Sequence, residues 1–317
     1  MASSKTVQVK KRPSNQSKIK PTGVIPVIQR DWLALGPALD KLVTEYKQPA
    51  YVASDPIQFP YRYSDTDTET VELVAFIAAM FSYGRREQVI ASLNKIFARM
   101  GKSPMSYLEG FDPKQEKKHY QDFVHRFNTG DDVLFLLSRL QAVYAQHGSL
   151  ETVFANALGN PLPASPVSTQ TAPFMSAELF KAALGSSLDT LLGSTIPDRY
   201  GIRFLFAHPA RGGACKRFNM FLRWMVREDI EPSGRVDFGL WKKTLAPKDL
   251  RIPLDAHVMN MNRQLGFSSR KDTSWKTVEE ITDVFRLLSP HDPIQYDYAL
   301  FGFSLEKRSI KEILVSE

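Results

Sequence analysis

The segment 69–81, ETVELVAFIAAMF, is apolar on most sides of a helix. A helix of that kind is a buried one, so the fold must be built around it. Asp67 or Thr68 stands where its cap is needed. The surrounding segments read with the same helical period. Residues 85–100 carry the stripe Val89, Ile90, Leu93, Ile96, Phe97 and Met100, and residues 29–46 carry Leu33, Leu35, Leu39, Leu42 and Val43. Further helices are expected at 115–127, at 132–146 with Gly148 as the stop, and at 177–192, 274–288 and 293–305. Between them, 51–70 is irregular, with Pro56 and Pro60 as helix breakers. Residues 158–173 are rich in Pro, Ser and Thr and read as a flexible loop, running on to 176. There is no sustained period-two alternation, no Asn-Gly hairpin and no internal repeat, so the expected class is all-α.

Composition narrows the function classes. With 43% hydrophobic and 24% charged residues, the chain is an ordinary globular one. No apolar run reaches the roughly 20 residues that span a bilayer, and the N-terminus lacks a signal-peptide core. A cytoplasmic protein is expected, without membrane contact. One cysteine, Cys215, excludes an intramolecular disulfide and any iron–sulfur cluster built from this chain alone. The net charge of +7 is uneven: residues 1–22 hold Lys5, Lys10, Lys11, Arg12, Lys18 and Lys20 and no acid. They read as a disordered basic tail, which is either a binder of polyanions or a solubilising leader.

The stretch GGACKRFNMFLRW (212–224) poses the chemical question. Phe218, Phe221, Leu222 and Met225 make one apolar helical face, while Lys216, Asn219, Arg223 and Arg227 run along another side. Lys216 therefore falls in the first turn of a helix, where the helix dipole disfavours a cation. Further on, 39 residues past Lys216, IPLDAHVMNMNRQLGF (252–267) places Asp255 at an N-cap and Gly266 at a helix stop. Each residue also has a plain structural reading: Lys216 as a solvated helix start, Asp255 as a cap, His257 as a first-turn capping contact, Cys215 as a core residue, and Arg223 with Arg227 as a solvated face. His208, His257, His291, Asp255 and Asp292 match no metal motif, and no metal is expected.

These segments resemble the helix–hairpin–helix DNA glycosylase superfamily. Its hairpin leads into a helix that begins with a catalytic lysine, and GGACK places Lys216 at the matching distance from Gly212. LDAHV resembles its later aspartate motif and carries Asp255 and His257. FIAAMFSYGRREQV (76–89) is similar to the entry helices whose turn wedges into a duplex, and DPIQYDYALFGF to the closing helix that backs the base pocket in 8-oxoguanine members. The long lysine-to-aspartate gap is most similar to the archaeal 8-oxoguanine glycosylases. The sequence departs from the pattern at Ala214, where the family has its second hairpin glycine, and at Arg217 after the lysine. YVASDPIQFPYRY, AAMFSYGRRE, CKRFNMFLRWMVR, PLDAHV and DPIQYDYALF together are similar to a closer bacterial family known as a domain of unknown function.

The resemblance implies a two-lobed all-α glycosylase-like fold. One lobe would hold about 68–193 and the other 23–67 with 194–317. It implies a base-excision glycosylase with AP-lyase activity on a damaged purine such as 8-oxoguanine, acting as a nucleoid-associated monomer on double-stranded DNA. Lys216 would be the nucleophile and Asp255 the electrostatic stabiliser. Tyr83, Gly84, Arg85, Arg86, Gly212, Gly213, Arg217 and His257 would contact DNA, and the hairpin would take at most a monovalent cation. The chemistry supplies its own reason for the pair. Breaking a glycosidic bond builds positive charge on the sugar, which a carboxylate stabilises. A free amine attacks the anomeric carbon, and burial and a helix N-terminus both favour the free form. A non-catalytic nucleic-acid-binding scaffold and a helical protein-interaction module are the alternatives.

Overall fold

The computed structural model describes residues 32–46, 49–159, 174–228, 236–241 and 243–314. The basic tail and most of the 158–176 loop lie outside the described residues. The described chain is mostly helical. After a 3-10 turn at Trp32–Leu35 come α1 (Gly36–Tyr46), α2 (Pro49–Ser54), α3 (Gln58–Tyr61), α4 (Thr68–Phe81), α5 (Arg86–Met100), α6 (Pro104–Glu109) and α7 (Pro113–Tyr120). A small hairpin, β1 (Val124–His125) and β2 (Asn128–Thr129), leads into α8 (Gly130–His147), α9 (Leu150–Ala157) and α10 (Ala177–Leu192). The second half holds α11 (Tyr200–Leu205), α12 (Lys216–Val226), α13 (Ala256–Leu265), α14 (Trp275–Leu288), α15 (Asp297–Leu305) and α16 (Lys311–Leu314).

α4 is the centre, as its sequence requires. Asp67 caps it by accepting from Thr70 N at 2.7 Å, and every residue from Thr70 to Phe81 is buried. α12 packs along it, with Phe76 edge-on to Phe221 at 5.1 Å and to Phe218 at 6.0 Å. Its one buried acid, Glu72, accepts from Trp241 Nε1 (2.7 Å), Tyr144 Oη (2.8 Å), Leu150 N (2.7 Å) and Glu151 N (3.2 Å). That carboxylate ties α4 to α8, α9 and the segment after α12. Residues 31–317 form one unit, and the two segments expected as lobes share one hydrophobic core.

Two local expectations are corrected. Residues 51–70 are not irregular throughout, because α2 and α3 interrupt them. Pro60 sits in the first turn of α3, where its missing N–H would have had no helical partner anyway. The helix expected over 115–127 stops at Tyr120. The chain then turns into the β1–β2 hairpin, with Val124 opposite Thr129 and His125 opposite Asn128. Two-residue strands are too short to show any alternation. α9 also went unread between the α8 stop and the Pro-rich loop.

Candidate active site

A cleft of about 760 Å³ opens where the α4–α5 turn, the 206–215 hairpin, the start of α13 and α15 converge. Lys216 and Asp255 both line it, and Lys216 Nζ lies 3.2 Å from Asp255 Oδ2. Both side chains are partly exposed, at 29% and 18%, so the pair is reachable from the cleft. Each stands at a helix start. Asp255 caps α13 through its other oxygen, Oδ1, which accepts from His257 N and Val258 N at 2.9 Å each. One oxygen therefore holds the helix while the second faces the amine. The Phe301 ring of α15 lies 5.8 Å from Nζ and forms an apolar wall beside it.

The hairpin explains how Lys216 is aimed. A 3-10 turn at Pro209–Arg211 is closed by Gly212 in the left-handed region, φ 79°. Glycine accepts that conformation without the steric cost of a Cβ. Gly212 O accepts from Trp275 N at 3.0 Å, which pins the hairpin to α14. Cys215 then adopts φ 50° as the N-cap of α12, held inside with its thiol donating to Ala207 O. Burial pushes that thiol up to about 12, so it is no nucleophile at neutral pH. Ala214, the departure from the hairpin pattern, is not among the positive-φ residues, so its methyl is accommodated. Its carbonyl accepts from Asn219 Nδ2 at 3.1 Å.

Behind the pair lies a buried charge network. Arg223 donates to Asp297 Oδ2 (2.5 Å) and Asp237 Oδ1 (3.2 Å). Arg227 donates to Asp292 (2.7 Å) and Asp237 Oδ2 (2.5 Å). Both arginines are buried, at 4% and 5% exposure, which corrects the expectation of a solvated face. The physical reason is that carboxylates from outside the helix, Asp237 shortly after it and Asp292 and Asp297 much later in the chain, cover this side of α12. Asp297 also lines the cleft, and burial together with the nearby Asp255 charge pushes its carboxyl up to about 6 against the pull of Arg223. Asp55 lines the cleft too. Its carboxyl accepts from Ile57 N at 3.0 Å and is raised by burial.

The remaining expected contact residues divide. Gly84, Arg85 and Arg86 are exposed at the rim, with Arg85 as the N-cap of α5 and Arg86 donating to Ser54 Oγ at 3.1 Å. His257 is exposed on the other side, 3.4 Å from Ser304 Oγ. Gly213 pairs with Ser274 behind the hairpin. Tyr83 is half-buried, and its hydroxyl donates to His125 O and Asn128 Oδ1, so its ring belongs to the wall. Arg217 is buried, donates to the carbonyls of Phe204 and Leu205, and lies between the Tyr83 and Phe204 rings at 4.9 and 4.6 Å. Among the described residues no group of His, Cys, Asp and Glu is placed to hold a metal ion.

All these cleft residues fall inside residues 55–306, the span matched by the family described as "Protein of unknown function (DUF2400)". The chain belongs to the DUF2400 family. No curated protein and no solved structure matches it. Within the DUF2400 span, sequence reading missed Asp55 and Arg126 as cleft residues; the DPIQYDYALFGF segment, similar to a helix that backs a base pocket, was given no site residue, and its Asp297, Tyr298 and Phe301 line the cleft. One signal was present: the tetrapeptide DPIQ occurs at 55–58 and again at 292–295. The first opens with cleft-lining Asp55, and the second opens with the partner of Arg227 and leads into α15.

Proposed function

We propose that this DUF2400 protein is a base-excision DNA glycosylase with AP-lyase activity, acting on a damaged purine such as 8-oxoguanine. The observation that carries the proposal is the Lys216–Asp255 pair, 3.2 Å apart at two helix starts inside one cleft. A purine nucleotide extruded from the helix reaches such a cleft, whereas a stacked one does not. Asp255 accepts a proton from Lys216 Nζ, and the free amine attacks C1′. The C1′–N9 bond breaks, its electron pair leaves with the base, and the base takes the proton held by Asp255, which returns to its carboxylate form. The carboxylate offsets the positive charge that develops on the sugar. The nitrogen on C1′ then carries two protons; one passes to O4′ as the C1′–O4′ bond opens, and the nitrogen lone pair forms a C1′=N iminium that keeps the other. Removal of a C2′ proton then expels the 3′-phosphate and cuts the strand. No cofactor is needed for these steps.

The rim supports the same reading. Arg85, Arg86 and Arg126 are exposed cations around the opening, suited to backbone phosphates. Arg217 and Tyr83 support the wall in this scheme rather than touching DNA. The test uses end-labelled duplexes carrying one 8-oxoguanine or one abasic site. Released base and strand scission are expected from the wild type and absent from Lys216→Gln. Equal products from both proteins would end the proposal.

A further inference from the structure

The aromatic side chains exposed beside the cleft are not used by the chemistry above. The β1–β2 hairpin turns through Arg126 and Phe127, and both are exposed, Phe127 at 43%. The residues flanking that tip are fixed. His125 is buried, with Nδ1 2.9 Å from Ser92 Oγ and Nε2 3.0 Å from Tyr83 O. Asn128 is buried and donates to Asp132 Oδ2 at 3.1 Å. Arg126 itself holds φ 52°, a conformation disfavoured for a residue with a Cβ. The tip thus presents the Phe127 ring to solvent from a hairpin whose flanking residues are held in place.

Phe127 is joined there by α11. Its ring centroid lies 5.1 Å from Tyr200, which is 57% exposed, and 5.0 Å from Phe204. Tyr200 and Phe204 stack at 26°. The close seating of α11 on the hairpin depends on Gly201, where a Cβ would meet Phe127 O at 2.6 Å and Asp132 Oδ2 at 2.3 Å. Cations back the rings: Arg126 lies 5.3 Å from the Phe127 ring, and Arg217 lies 4.6 Å from Phe204. Phe204 and Arg126 also line the cleft, so the aromatic surface is continuous with it.

We propose that Phe127, Tyr200 and Phe204 form a stacking platform for unpaired bases at the mouth of the cleft. The proposal rests on the nucleic-acid reading above and adds to it a preference for substrates with unstacked nucleotides. Every base presents a π face, so such a platform is sequence-tolerant, and the adjacent Arg126 contributes phosphate and cation–π attraction.

The test compares the full chain on a duplex with a central bubble and on the fully paired duplex of equal length, by fluorescence anisotropy at one salt concentration. The wild type should favour the bubble. Phe127→Ala and Tyr200→Ala should each weaken bubble binding by roughly 5- to 150-fold while leaving paired-duplex binding unchanged. Phe127→Trp should restore it. Both side chains are well exposed, and an unchanged melting temperature confirms that the variants fold. Equal wild-type affinity for the two duplexes, or an Ala variant that keeps the preference, overturns the platform. Strand scission without bubble preference sinks the platform and leaves the glycosylase reading standing. Bubble preference without scission does the reverse. Binding to neither duplex overturns the platform and removes the support for nucleic acid as the ligand.

Discussion

Asp255 divides its work between two oxygens, and two substitutions separate them. Oδ1 caps α13 by accepting from His257 N and Val258 N, while Oδ2 faces Lys216 Nζ at 3.2 Å. Asparagine keeps an acceptor oxygen at the cap but removes the charge. Alanine removes both. Asn and Asp cap about equally well, whereas Ala costs about 1 kcal/mol. For a chain of this size that is a fall of roughly 1–2 °C in Tm. Asp255→Asn should therefore melt with the wild type and Asp255→Ala about one to two degrees below it. The electrostatic loss is shared by both. At 3.2 Å and an effective dielectric of 20, the gross attraction between unit charges is about 5 kcal/mol. Loss of a preorganised stabiliser of this kind lowers a rate by about 100- to 1,000-fold, roughly 3–4 kcal/mol, which fits within that gross figure. Single-turnover scission of an abasic duplex measures the rate, and thermal unfolding measures the cap. A fully active Asp255→Asn, or an Asn variant that melts as low as the Ala variant, would refute the division of roles.

Three further outcomes follow from the same geometry. Arg223→Met leaves the buried Asp297 carboxylate without its 2.5 Å partner, and thermal or denaturant unfolding should show a loss of about 3 kcal/mol; a change under about 1 kcal/mol would mean the network is not charge-balanced as described. Glu72, whose carboxyl is pushed up to about 7 by burial, is more easily protonated in the folded state than in the unfolded chain. Its contribution to stability is thus full below pH 4.5 and falls as pH rises through about 7, by up to about 3 kcal/mol. Glu72→Gln should flatten urea-unfolding free energies across that window, and an unaltered slope would contradict this. In the hairpin, Gly212→Ala should cost about 1 kcal/mol because of its φ of 79°, whereas Ala214→Gly should change little, and equal effects on Tm would show that the left-handed position is misplaced.

Much of the candidate site was legible because its two central residues sit at helix starts, which carry strong local signals. The glycines before Lys216 and the cap pattern at Asp255 mark where each helix begins. Only the fold brings them to 3.2 Å. The side of α12 that bears Arg223 and Arg227 was misread because helical periodicity reports which residues share a face, not what that face meets. Its partners Asp237, Asp292 and Asp297 come from other parts of the chain. Tyr83 reads as an exposed turn aromatic until the hairpin, invisible as a repeat, supplies acceptors for its hydroxyl. The exposed Phe127 was lost for the same reason, inside a helix expected to continue past Tyr120.

The central claim is that Lys216 is an amine nucleophile toward a sugar carbon. Borohydride trapping on a duplex with one abasic site tests it most directly, followed by proteolysis and mass mapping of the linked peptide. The account predicts a stable adduct whose added mass maps to Lys216 and which Lys216→Gln does not form. An adduct mapped to another lysine, or one formed equally by Lys216→Gln, would contradict it.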